Sequence, residues 1–260
     1  MSSFESIHSE EFFVQTSSMD PKQTVRMPAY LEMMQEAASG HSAIYSLTIT
    51  DLLRQNKTWV ITKQKIRITG YPVWREKIRL DTWILSPTRL VFPRAYIAYD
   101  STGRIIFEAF TYWCVLDLER RRPLPIGSLG TFIGCEHPDF TLEPVIGKPN
   151  GPIEDADCHF EFTPQIQFRD TDVNSHVNNN AYTEWCLETM PVDVRMNNNP
   201  SFFEIHYQRE TYINDTIHAV AEFNSRTGEC SHIITAERGD TVVDVCRASS
   251  IWKSRDRFSH

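Results

Sequence analysis

A repeat that needs no gap constrains this chain more than any other feature. At a displacement of 152 residues, Gln15 falls on Gln167, Asp20 on Asp172, Val25 on Val177, Ala29 on Ala181 and Tyr30 on Tyr182. Glu32 and Glu36 fall on Glu184 and Glu188 at the same offset. So many identities at one displacement point to an internal duplication. A chain of 260 residues then divides into two units of like fold, each close to the usual domain size. Residues 119–152 carry 6 of the 14 prolines and 5 of the 10 glycines, which stop regular structure on either side. The expected division is a first unit at 1–125, a connector at 126–155 and a second unit at 156–260.

Both halves follow one plan. A short extended segment (11–17 and 160–168) leads through a loop into a single helix. In the first half Pro28 suits an opening helical turn, and Tyr30, Met33, Met34, Ala37 and Ala38 recur at the spacing of a one-sided helix. In the second half Tyr182, Trp185, Cys186 and Thr189 form the matching face, Asn178 or Asn179 supplies a cap, and Pro191 ends the run. Alternating segments follow each helix: 59–68, 78–82, 90–99 and 105–116 in the first half, then 202–211, 216–225, 231–238 and 242–252. A lone helix buries its apolar face best on the concave side of a curled antiparallel sheet. The expected fold class is therefore α+β, with two tandem hotdog domains, each an antiparallel sheet wrapped around one long helix.

Composition excludes several function classes. The longest apolar runs, 95–99 and 112–116, fall far short of the ~20 residues of a membrane span. Residues 1–11 hold no Lys or Arg and match neither a secretory signal nor a transit peptide, so a soluble, cytoplasmic protein is expected. No two of the six cysteines are close enough for a CxxC pair, and His206, His218 and His232 stand at no metal-ligand spacing. Neither metal nor cofactor is expected. The net charge of −8 and the lack of a helix-turn-helix pattern argue against nucleic acid as a partner. Between Asp51 and Arg104, however, eleven basic side chains stand against four acidic ones. That local excess is a candidate docking patch for an acidic partner, with Arg89 and Arg94 as its candidate residues.

The densest polar cluster runs from Arg169 to Asn180, just before the second helix. It sets a carboxylate, an amide and an imidazole at Asp172, Asn174 and His176, which in an extended loop share one side. Amide groups at the start of the following helix would stabilise an oxyanion. An asparagine-rich capping loop explains the same residues equally well.

The string Asp172-x-Asn174-x-His176-Val177-Asn178-Asn179 followed by Tyr182, with Tyr207-x-Arg209-Glu210 further along, resembles the acyl-ACP thioesterase family. Arg26-Met27-Pro28, the region from Trp59-Val60-Ile61 to Trp83, and Thr88-Arg89-Leu90 are similar to that family's first half, so the likeness spans nearly the whole chain. The resemblance implies a hydrolase that releases fatty acid from acyl carrier protein, with Asp172, Asn174, His176 and Glu210 as catalytic positions. Plant members tend to carry a cysteine after that glutamate, whereas this chain has Thr211. Either the cysteine is dispensable or the site is inert, and the four intact positions favour the first. The first half keeps only Asp20, with Lys22 and Thr24 where the second has Asn174 and His176. It is therefore expected to be a binding half that supplies one wall of an acyl pocket, with Met33 and Met34 as candidate lining. An acyl-CoA thioesterase of the same fold and a non-catalytic acyl sensor are the alternatives, and the assembly is expected to be a monomer or a homodimer.

Overall fold

The computed structural model describes residues 7–130, 134–145, 147 and 151–258. The first six residues and parts of the proline-rich connector thus lie outside the described residues. The chain forms two compact units, Met1–Val145 and Ile146–His260.

In the first unit β1 (Ile7–Phe13) leads to α1 (Met27–Ala43), a short α2 (Ile49–Leu53), then β2 (Lys57–Ile68), β3 (Lys77–Ile84), β4 (Phe92–Tyr99), β5 (Ile105–Asp117) and β6 (Arg122–Leu124). Among the described residues its sheet runs β1-β3-β4-β5-β2, antiparallel throughout, with β6 paired to β5. The second unit has β7 (Cys158–Phe162), α3 (Asn179–Glu188), α4 (Val192–Asn197), β8 (Asn198–Tyr207), β9 (Thr216–Phe223), β10 (Glu229–Arg238) and β11 (Thr241–Ser254). Its sheet runs β7-β9-β10-β11-β8, again antiparallel. Strand for strand, the two orders are the same. The long helices α1 and α3 also begin at Met27 and Asn179, which are separated by the offset of the repeat.

Both helices form for the expected local reasons. Pro28 occupies the first turn of α1, where its missing N–H has no intrahelical partner to lose. Tyr30, Met33, Met34, Ala37 and Ala38 are buried along one face. Tyr30 packs on Phe107 of β5 at 4.8 Å and its hydroxyl donates to the Gly70 carbonyl at 2.7 Å. Asn178 caps α3, its side chain accepting from the Asn180 amide at 2.9 Å. Ala181, Tyr182, Trp185 and Cys186 are buried against the sheet. At the β9–β10 turn Gly228 has φ of +77°, and a Cβ there would stand 2.1 Å from the Trp252 carbonyl oxygen. Only glycine fits.

The first extended segments start earlier than expected, at Ile7 and Cys158, and end at Phe13 and Phe162. A second difference concerns the segment after β6. Among its described residues the only regular element before β7 is a single 3-10 turn, Ile126–Ser128, yet residues 135–145 pack on the outer face of the first sheet. Leu142 joins Trp83, Ala95, Ile97, Tyr99 and Phe110 in one buried cluster, with Phe140 and Cys135 against it. The buried Glu108 carboxylate holds the segment in place, accepting from the Thr141 and Leu142 amides at 2.6 and 3.2 Å and pairing with Arg67. The unit boundary at 145/146 therefore falls inside the span 126–155 assigned to a connector.

The outward-facing role expected of Arg94 is wrong. On β4 it alternates with Ala95 and Ile97, which face the outer cluster, so it shares the inner face with Tyr96. It is 6% exposed, donates to Thr82 Oγ1 at 3.1 Å and lies 2.9 Å from His41 Nδ1 on α1. Burial lowers its pKa from the ordinary arginine value.

In the second unit His232 on β10 is 1% exposed, its Nε2 2.9 Å from Ser250 Oγ and its Nδ1 without a partner. Desolvation lowers its pKa from 6.5 to about 3. The folded state therefore keeps His232 neutral where the unfolded chain is protonated. Its contribution to stability is complete above pH 6.5 and is lost as pH falls toward 3. Between pH 6 and 4 the unfolding free energy should fall with a slope approaching ~1.4 kcal/mol per pH unit from this group alone. Denaturant titrations of the wild type and His232→Gln at pH 7, 5.5 and 4 check it, the variant giving the flatter dependence.

Candidate active site

The segment from Asp170 to Asn178 is a tight turn rather than an extended loop. The Asp172 amide donates to the His176 carbonyl at 2.8 Å, and the Ser175 amide donates back to the Asp172 carbonyl at 3.0 Å. Ser175 takes the left-handed conformation this closure demands, with φ of +62°. The Asp172 carboxylate sits inside the turn. Its Oδ1 accepts from the Asn174 and His176 amides at 2.8 and 3.3 Å, and its Oδ2 accepts from Asn174 Nδ2 at 3.3 Å.

Most of the helix-start amides are engaged within the protein, which corrects the expectation that they face a reacting oxygen. Val177 donates to the Thr211 carbonyl, Asn178 to Asp170, Asn180 to the Asn178 side chain and Ala181 to the Asn178 carbonyl.

The Val177 bond also decides where Glu210 stands. It ties the turn to residues 208–215, an irregular segment that begins where β8 ends at Tyr207. Glu210 is thereby brought beside His176, with Oε2 3.6 Å from Nε2 and both side chains about a quarter to a third exposed (25% and 32%). Tyr212, which sequence reasoning missed, joins them. Its hydroxyl donates to Glu210 Oε2 at 3.1 Å and its ring meets the His176 ring edge-on at 5.1 Å. Arg238 on β10 secures the segment, donating to the Glu210 carbonyl, pairing with Asp215 at 2.9 Å and lying 5.0 Å over the Tyr212 ring. The proximity of Tyr212 to Glu210 in sequence was the one available signal for it. Arg238 gave none, because its approach depends on strand pairing.

Of the other expected site residues, Met33 and Met34 lie in the packed helix–sheet core, 8% and 1% exposed, and Arg89 is exposed in the turn before β4. Thr211 is fully buried. Its hydroxyl accepts from the Tyr182 hydroxyl at 2.6 Å, so the position after Glu210 faces the core. All six cysteines are free thiols. Burial and the neighbouring Cys246 raise the Cys186 thiol well above its ordinary range, the reverse of what a nucleophile needs. Among the described residues no three His, Cys, Asp or Glu side chains converge as a metal site requires.

Comparison with known proteins gives the family and the fold. Sequence profiles of the acyl-ACP thioesterase N-terminal domain and C-terminal domain match residues 5–128 and 154–254. The chain belongs to the acyl-ACP thioesterase family. It is 23% identical to the chloroplastic palmitoyl-acyl carrier protein thioesterase of Gossypium hirsutum, over 96% of this chain and 64% of that protein. To the chloroplastic dodecanoyl-[acyl-carrier-protein] hydrolase of Cinnamomum camphora it is 22% identical, over 94% of this chain and 67% of that protein. The chain thus spans about two thirds of the length of these relatives. Among solved structures, an acyl-ACP thioesterase from Bacteroides thetaiotaomicron superposes with a TM-score of 0.80 at 24% identity, covering 97% of this chain and all of that one. The 12:0-ACP thioesterase from Umbellularia californica gives 0.75 at 18% identity, covering 95% and 97%. These likenesses establish the double hotdog fold.

In this family member, the buried Tyr182–Thr211 pair should behave as structure and not as chemistry. Thr211→Val leaves the Tyr182 hydroxyl buried without its acceptor and should cost about 1–3 kcal/mol. Adding Tyr182→Phe should recover part of that loss, since removing both partners leaves no orphaned group. Denaturation of the two single variants and the double variant measures this coupling, with turnover of any tested thioester little changed in Thr211→Val.

Proposed function

We propose that this protein hydrolyses fatty acyl thioesters of acyl carrier protein to free fatty acid and carrier, using a water activated at Glu210. The observation that carries the reading is the partly exposed Glu210–His176 pair with Tyr212 on the same carboxylate oxygen. A thioester carbonyl needs a nucleophile, an acceptor for its proton and a donor for the departing sulfur. Glu210 takes a proton from water as the water oxygen bonds the carbonyl carbon. The tetrahedral adduct then expels the thiolate, and the proton passes to sulfur. His176 stands beside Glu210 to steady its charge or to carry that proton, and Asn174 orients substrate or water. The buried position of Thr211 and the raised Cys186 thiol support a route without a cysteine acyl-enzyme. Carrier protein is the favoured thiol over coenzyme A, because the family names carrier substrates and the first unit offers exposed positive charge at Arg89.

Turnover of an acyl-ACP series from short to long chains, beside the matching acyl-CoAs, tests the proposal. Acyl-ACP should be the faster substrate, and Glu210→Gln should lower kcat by roughly 10²–10⁴. Arg89→Glu should raise KM for acyl-ACP and leave that for acyl-CoA unchanged. Equal or faster acyl-CoA hydrolysis would favour a coenzyme A thioesterase, and binding without hydrolysis an acyl sensor.

A further inference from the structure

Both carboxylates near the turn, Glu210 and Asp172, are chemically able to serve as the base. The internal repeat separates them. In the first unit Asp20 occupies the position of Asp172 and makes the same bonds to the backbone. The Asp20 amide donates to the Thr24 carbonyl at 2.9 Å, where Asp172 donates to His176 at 2.8 Å. The Gln23 amide donates to the Asp20 carbonyl at 3.0 Å, as Ser175 does to Asp172 at 3.0 Å. Asp20 Oδ1 accepts from the Lys22 and Thr24 amides at 2.9 and 3.2 Å, where Asp172 Oδ1 accepts from Asn174 and His176 at 2.8 and 3.3 Å. Even the left-handed residue recurs, Gln23 at φ +64° and Ser175 at φ +62°.

The neighbours of the turn correspond as well. Val25 donates to the Pro72 carbonyl at 3.0 Å, as Val177 does to Thr211 at 2.9 Å. Arg26 donates to Ser18 at 2.8 Å, as Asn178 does to Asp170 at 2.7 Å. The register of the Val25 bond sets Tyr71 where the second unit has Glu210. The first unit has Lys22, Thr24 and Tyr71 in place of the amide, the imidazole and the glutamate, and has kept the aspartate with its backbone bonding pattern, while the side-chain partner at Oδ2 changes from Asn174 Nδ2 at 3.3 Å to Thr24 Oγ1 at 3.4 Å.

We propose that Asp172 is a positioning residue and not the base: its carboxylate closes the turn that presents Asn174 and His176, and Glu210 alone takes the proton from water. A carboxylate retained where the other chemical groups are missing is retained for the turn. Asp172 Oδ1 is already engaged by two amides and Oδ2 by Asn174, while Glu210 reaches a partly exposed surface beside His176. The proposal rests on the hydrolytic reading of this site for its kinetic consequence, but the turn itself can be tested without it.

The experiment uses the full chain with Asp20→Ala, Asp20→Asn, Asp172→Ala, Asp172→Asn and Glu210→Gln. Asparagine keeps an Oδ1 able to accept the two backbone amides and gives up only a side-chain bond at Oδ2, from Asn174 Nδ2 in the second unit and from Thr24 Oγ1 in the first. Amide hydrogen exchange should show lost protection at residues 22–24 in Asp20→Ala and at 174–176 in Asp172→Ala, with protection kept in both asparagine variants. With acyl-ACP as substrate, Asp172→Ala should lose roughly 10² or more in kcat as its turn opens. Asp172→Asn should stay within about tenfold of wild type with the same pH profile, while Glu210→Gln falls by roughly 10²–10⁴. Asp172→Asn falling as far as Asp172→Ala, with its turn still protected, would overturn the proposal, as would an Asp172→Ala variant whose turn stays protected. Failure of the hydrolytic reading shows separately, as a wild type without turnover. The exchange comparison between the two halves then decides the role of Asp172 alone.

Discussion

Each unit depends on how its long helix is delivered onto the sheet. A helix that begins beside a sheet carries amide groups with no partner inside the helix, and once buried these must be satisfied locally. Residues 18–26 and 170–178 solve this in the same way. An aspartate closes a turn, a valine amide is handed to an irregular segment after the next strand, and the residue before the helix donates to the carbonyl eight positions earlier. The side chains between these fixed points are free to vary. That freedom lets one copy carry Asn174 and His176 while the other carries Lys22 and Thr24 on an unaltered backbone.

The two sheets differ in what covers their outer faces. On β9 buried and less buried residues alternate, the pattern of a sheet covered on one side. On β4 nearly every residue is buried, because residues 135–145 add a second layer over Trp83, Ile97 and Phe110. Glu108 makes that layer possible. A buried carboxylate is costly unless its oxygens are engaged, and here two amides and Arg67 engage them. The negative charge that lies under the layer thereby fixes the backbone that covers it.

Much of this was legible in the sequence, and what was not has identifiable causes. The offset from Gln15 to Glu36 and its images predicted equivalent helices, and Met27 and Asn179 begin them at that same offset. Alternation predicted the strands after each helix to within a few residues. The same alternation, followed along β4, would have turned Arg94 inward with Tyr96. Reading the region by net charge alone concealed this. Residues 135–145 were hidden because proline and glycine report the end of regular structure and say nothing of whether the chain then packs. At the site, Glu210 came from the family string. Tyr212 and Arg238 reach it through a loop and a strand pairing that no local pattern encodes.

The nature of the residue after Glu210 follows from the same architecture. Thr211 must hand its carbonyl to Val177 to hold the turn against residues 208–215, and that bond directs its side chain to Tyr182 in the core. A group so placed is closed off from solvent, whatever its chemistry. The thiols nearer the helix fare no better, since Cys186, Cys230 and Cys246 lie in the core and burial raises the first two. A thiol nucleophile requires surroundings that favour the thiolate, and this interior favours the neutral form. Glu210 is different because the backbone bond that sends Thr211 inward leaves its predecessor beside His176 at a partly exposed surface. The turn that satisfies the helix start thus also sets which of the two neighbours, Glu210 or Thr211, stands at the exposed surface.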